Sequence, residues 1–318
     1  MVKIVFKYAL VFLLPLLQLC LVACNTGIET TKTIKMSRSE RKEAQPRNED
    51  LLADSIVSQP LSAWKAGKPF MVADDKVALL LESDKVTYGS DSLSLKNHVL
   101  RYDGTESGSD AGGGSVTLIR FLDGDTLYKY NTGRTADYAR HYITGLDIPM
   151  MIDMDMVSLA DSLLKGRRIW ILNQLWYDAS GNKLDGRKYV PVTITGVRPG
   201  DIVFPCIVDF TDGNGNSASV FMNIKTASGI GAESRTFPSL FSLVDPKEAY
   251  PSILPETWTL IQSGNVTLGM TKDECRLALG TPSDVDAGHN WSSTIDIWSY
   301  KDGTFLQFED GLLVNFRR

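Results

Sequence analysis

"GMTKDECRLALGTP", Gly269 to Pro282, gathers helix-boundary signals into one short stretch. With Thr271 as N-cap, Glu274 falls at the third helical position, and the two form a capping box that satisfies two orphan backbone donors. Met270 before the cap and Cys275 at the fourth position make a hydrophobic staple. Gly280 is placed to end the helix, and Pro282 prevents its resumption. A helix of about two and a half turns is marginal alone, so packing must hold it. The preceding "PETWTLIQSG" supplies a partner: Pro255 opens it, Trp258 and Ile261 lie one turn apart, and Gly264 stops it.

Downstream, "TIDIWSY", "TFLQF" and "LLVNF" are separated by Asp302-Gly303 and Asp310-Gly311. Asp-Gly between apolar strands is a hairpin signal, which predicts a three-stranded meander. Residues 251–318 therefore read as a helix-helix-strand-strand-strand α+β module. The loop "SDVDAGHNWSS", Ser283 to Ser293, is polar and rich in turn residues. It carries His289 and Trp291, the candidate partner-binding residues, because aromatics on loops held by a rigid scaffold are common interface anchors. The competing reading makes Trp291 a lid on the small core.

Upstream, Lys68 to Lys225 reads mostly as strands: "KPFMVADDKVALLL", "VTLIRFL", "DTLYKYN", "RRIWILNQLWYD", "KYVPVTITGV", "IVFPCIVDF" and "ASVFMNIK". Turn chemistry separates them, so residues 51–250 form a β-rich domain, a barrel or sandwich, with Arg167 to Lys225 able to make a small barrel of its own. "GTESGSDAGGGS", Gly104 to Ser115, is a mobile loop by composition. One helix interrupts, "DMVSLADSLLKG", with Asp155 as N-cap and Gly166 as stop. The fold class is thus mainly β with a C-terminal α+β module.

The N-terminus has Lys3 and Lys7, then "YALVFLLPLLQLCLVA", then Cys24. The run is shorter than a membrane-spanning helix needs, and Pro15 and Gln18 interrupt it, so residues 1–23 read as an export signal. "LVAC", Leu21 to Cys24, resembles a bacterial lipobox, which implies acylation of Cys24. Residues 24–50 are charged and nearly free of apolar side chains, a flexible tether.

The net charge of −5 leaves no electrostatic footprint for nucleic acid. His98, His141 and His289 lack metal-ligand spacing, and no GxSxG elbow occurs, so neither a metal, a cofactor nor a catalytic residue is expected. "GNKLDGRK", Gly181 to Lys188, has phosphate-loop glycines but Arg187 and Lys188 where the binding Lys and Ser/Thr belong, and reads as a hairpin loop. "DGNGN", Asp212 to Asn216, lacks the sixth-position Gly and twelfth-position Glu of a calcium loop. Asp153 and Asp155 could form an acid-base pair, although Asp155 is better used as a cap. Cys206 and Cys275 could pair in an oxidising compartment or sit as buried apolar residues. Trp170, Trp176 and Tyr177 could stack on a glycan or pack inward.

The pattern G-x-V-x-x-G-M-T-K-D-E-x-x-x-x-L-G-T-P from Gly264 to Pro282, followed by "WSY" and a terminal F-x-D-G-x-L, resembles the SmpA/OmlA (BamE-like) family of outer-membrane lipoproteins. The resemblance covers about residues 254–318. It implies a non-enzymatic lipoprotein of the outer membrane's periplasmic face, binding outer-membrane or other envelope proteins in outer-membrane protein assembly or envelope integrity. The alternatives are a glycan- or small-ligand-binding lipoprotein and a hydrolase with dispersed catalytic residues.

Overall fold

The computed structural model describes residues 46–83, 94–110, 112–224, 235–289 and 294–318. From Arg47 to Arg318 the chain forms one compact unit. Cys24 and Trp291 lie outside the described residues, as do the stretch expected to be an export signal and the expected tether up to residue 45. The end of the expected tether is structured: Asn48–Ser55 is helix α1, and its Glu49 accepts a hydrogen bond from the Leu243 N–H at 2.8 Å.

The protein is mainly β, in curled antiparallel sheets with the character of a half-barrel. The first sheet contains β1 (Pro69–Val72), β2 (Leu81–Ser83), β3 (Val99–Ser109), β4 (Ser115–Asp123), β5 (Thr126–Asn131) and β6 (Met151–Asp153), ordered β2-β5-β4-β3-β1-β6. Helix α2 (Ala136–Tyr142) precedes β6 and adds Ala139 to the core of Phe70, Leu100, Ile119 and Phe121. Two readings of this region need correction. "KPFMVADDKVALLL" is two short strands around a 3₁₀ turn, Asp75–Leu79, which Asp74 caps by accepting from the Lys76 N–H. The glycine-rich stretch after Gly104 is strand as far as Ser109, because β3 and β4 pair through backbone groups whatever their side chains.

Helix α3 (Met154–Leu164) leads into the second sheet: β7 (Arg168–Ile171), β8 (Leu175–Tyr177), β9 (Lys183–Asp185), β10 (Val190–Pro199), β11 (Cys206–Asp212), β12 (Ser217–Met222) and β13 (Phe241–Ser242). Its order is β13-β7-β10-β11-β12-β8-β9, and the short helix α4 (Phe237–Leu240) precedes β13. "RRIWILNQLWYD" is therefore two strands, β7 and β8, placed in different parts of the sheet. In β10 Val192 and Ile194 face the core, but the next buried residue is Val197, because a bulge between Ile194 and Gly196 shifts the alternation. The Val197 N–H donates to Asp161 of α3 at 2.7 Å, pinning the helix to the bulge.

The third sheet, β14 (Asp284–His289), β15 (Thr294–Ser299), β16 (Phe305–Glu309) and β17 (Leu312–Arg317), is packed on α5 (Pro255–Gln262) and α6 (Lys272–Leu279). It has four strands rather than three. Asp284 to His289 pairs with Ser299 to Thr294 along its whole length, so most of the expected loop is an edge strand. A strand with one free edge and a solvated face needs no apolar run, and its two aspartates suit an edge. The capping box is present: the Glu274 N–H donates to Thr271 Oγ1 at 3.2 Å and the Thr271 N–H to Glu274 Oε2 at 2.7 Å. Met270 and Cys275 share the core with Trp258, Ile261 and Trp298.

Candidate functional site

Two hairpin loops of the second sheet have the same construction. In Asp178–Asn182 and Asp212–Asn216, the aspartate Oδ1 accepts the N–H groups two and four residues on, and Oδ2 accepts the asparagine side-chain amide. Gly181 and Gly215 adopt φ +83°, a conformation that needs glycine at that point of the turn. Burial works to raise the Asp212 carboxyl, but hydrogen bonds from Asn216 and Asn214 and the nearby Arg187 charge prevail, leaving it below the usual carboxylate range. Both carboxylate oxygens of Asp212 are thus taken by the loop's own donors.

Beside the Asp212–Asn216 loop lies a groove of about 490 Å³. Trp176, Leu184, Val190, Pro191 and Ala218 supply its apolar lining, with Asp185, Arg187, Asp212, Asn214 and Asn216 as polar lining. Strands β9 and β10 both contribute, although β11, β12 and β8 separate them in the sheet. Residues from both can line one groove only because the sheet curls back on itself. Edge strand β9 is exposed throughout, and its Leu184 stands 38% exposed. The Trp176 ring is fixed: its Nε1 donates to the Asn173 carbonyl at 2.8 Å and it meets Phe210 edge-on at 5.1 Å.

Arg187 ties the groove to the C-terminal elements. Its Nη2 donates to Gln262 Oε1 at 2.5 Å, while Gln262 Nε2 donates to the Tyr189 carbonyl and the Gln262 carbonyl accepts from the Lys188 N–H and Gln174 Nε2. One buried glutamine thus fastens the connection between β9 and β10 to α5.

A second polar cluster is internal. Lys68 Nζ donates to Asp153 Oδ1 at 2.5 Å and Asp155 Oδ2 at 3.0 Å, and Ser58 Oγ donates to Asp153 Oδ2 at 2.6 Å. Asp153, not Asp155, caps α3, accepting from the Asp155 and Met156 N–H groups. The cap must accept the first free N–H groups, and the carboxylate one residue before the helix reaches them. Gly145 packs so closely on Asp153 that an added Cβ would overlap the carboxylate.

The other sequence candidates are dispersed. Trp170 on β7 and Trp176 and Tyr177 on β8 form no common platform: Trp176 is core, and Tyr177 packs edge-on against Phe221. His98 pairs with Asp123 and His141 with Asp137, both at exposed positions. The backbone of His289 pairs with Thr294. Cys206 and Cys275 are free thiols in two different cores, and burial pushes each up to about 12. The groove residues Leu184, Asp185 and Arg187 were not singled out from sequence as a site. The stretch that holds them, Gly181 to Lys188, read only as a hairpin loop. No protein-family model, curated protein or solved structure matches this chain.

Proposed function

We propose that this chain is a non-enzymatic lipoprotein of the cell envelope, anchored through Cys24, whose task is to hold a protein partner. The observation that supports it is the groove of the second sheet, lined by both apolar and polar side chains, beside edge strand β9. An extended segment can add to such an edge through main-chain hydrogen bonds while one side chain enters the groove. The signature from Gly264 to Pro282 and the lipobox-like "LVAC" support the same reading, and both suit a lipid-anchored protein of the outer membrane. Trp291 and His289 extend it as a second contact on the C-terminal elements. Affinity capture from solubilised envelopes tests the reading. A protein retained by the native chain and by Ile202→Glu, at the opposite end of the sheet, but lost with Leu184→Glu supports it. Identical capture by all three contradicts it.

A further inference from the structure

We propose that a second pocket, between the connections that carry Gln174 and Lys188 and the C-terminal elements, is a binding site for a small carboxylate anion held by Lys188 and Arg318. It does not rest on the groove reading. The pocket measures about 160 Å³ and is lined by Gln174, Lys188, Gly264, Tyr300, Asp302 and Arg318, among others.

Lys188 is 8% exposed, and its Nζ donates to the Ala278 carbonyl in the last turn of α6 at 2.6 Å. An ammonium carries three donors, so the carbonyl satisfies one of them. Among the described residues, no carboxylate forms an ion pair with Lys188. Burying a cation without a counter-charge is costly, and desolvation accordingly pulls the Lys188 amine down to about 8. A merely structural contact to one carbonyl would be met as well by a neutral amide, without that cost.

Arg318 adds the second cation. Its Nη1 donates to the Gly264 carbonyl and to Asn265 Oδ1, both at 2.9 Å, which orients the guanidinium and leaves its other N–H groups available. Asp302 is the one acid in the lining, and its Oδ1 already accepts from the Thr304 N–H at 2.9 Å. Lys188 and Arg318 bring two side-chain cations to the lining against the one acidic side chain, Asp302, a balance that suits a monoanion better than a phosphate dianion. A guanidinium and an ammonium lining one pocket also match the two oxygens of a carboxylate. Tyr300, with its hydroxyl donating to the Gly280 carbonyl at 3.3 Å, forms part of the wall.

The test titrates the full chain with sodium acetate, sodium phosphate or sodium chloride at constant ionic strength near neutral pH, read by lysine side-chain NMR and by melting temperature. A capped Gly-Asp-Gly peptide forms a fourth arm, separating a free small carboxylate from the acidic side chain of a partner. The expected result is saturable acetate binding, stronger than phosphate or chloride and stronger than the peptide. It weakens about ten-fold in Lys188→Met, the loss expected for one charge-assisted hydrogen bond. Arg318→Gln, a change at an exposed side chain, weakens it several-fold and keeps the test valid if Lys188→Met does not fold. Acetate that fails to saturate, or that binds the folded variants unchanged, overturns the proposal. Peptide binding tighter than acetate overturns the free-ligand assignment.

Discussion

Lys68 and Asp153 meet at 2.5 Å with side chains 3% and 0% exposed, joining the start of β1 to the cap of α3. Ser58 closes the cluster from the segment after α1, so one carboxylate binds three separate stretches of chain. Replacing a buried pair by apolar groups can be neutral, but removing one partner strands a charge. Lys68→Met is therefore expected to cost about 3–5 kcal/mol in denaturant unfolding. The double variant Lys68→Met/Asp153→Asn should cost clearly less than the sum of its singles. Additive losses would show that the two charges do not act as a pair.

Gly145→Ala tests the same cluster from its other side. The added methyl would overlap the Asp153 carboxylate, while the Gly145 N–H holds Ser58 Oγ at 2.8 Å. A loss of about 1–3 kcal/mol is expected, the usual range for overpacking. A thermal melt unchanged from the native chain would contradict the packing described.

Lys188 gives a pH dependence with a definite sign. Its folded-state value is near 8 and the unfolded amine titrates near 10.5, so between those values the unfolded chain binds more protons and stability rises with pH. The buried thiols act oppositely: with folded values of about 12, Cys206 and Cys275 remove stability as pH rises past 9, where the unfolded thiols ionise. The lysine contribution is isolated by difference. Stability of the native chain relative to Lys188→Met should climb between pH 8 and 10.5, by on the order of 3 kcal/mol. A flat difference would show that the amine is not desolvated.

Cys24→Ala should leave the melting temperature unchanged and move the protein from the membrane fraction to the soluble periplasm, because several acyl chains on one cysteine are needed for stable anchoring. Retention in membranes would contradict the lipoprotein assignment.

What could be read in the sequence divides along local and non-local lines. Thr271, Glu274, Pro255 and Gly280 act within one turn of themselves, and the structure places Thr271 and Glu274 as a capping box, Pro255 as the first helical residue and Gly280 as the C-cap. Asp310-Gly311 likewise takes positive φ at both residues, making the tight turn between β16 and β17. Strand β14 escaped because "DVDAGH" carries no apolar alternation; its partner β15 imposes the conformation. Asp153 takes the cap expected of Asp155, because the helix begins at Met154, one residue before Asp155. The groove was illegible from local signals. Leu184 and Ala218 are ordinary residues in their own strands, and only the curl of the sheet makes them neighbours across one groove.

The most direct measurement of the central claim is site-specific photo-crosslinking in intact cells, with a photoreactive residue in place of Leu184 and, as control, Ile202, which is also exposed but lies at the opposite end of the sheet. A partner seated in the groove should give a discrete adduct with one envelope protein from position 184, and none from position 202. Adducts of the same pattern from both positions, or none from 184, would contradict the account.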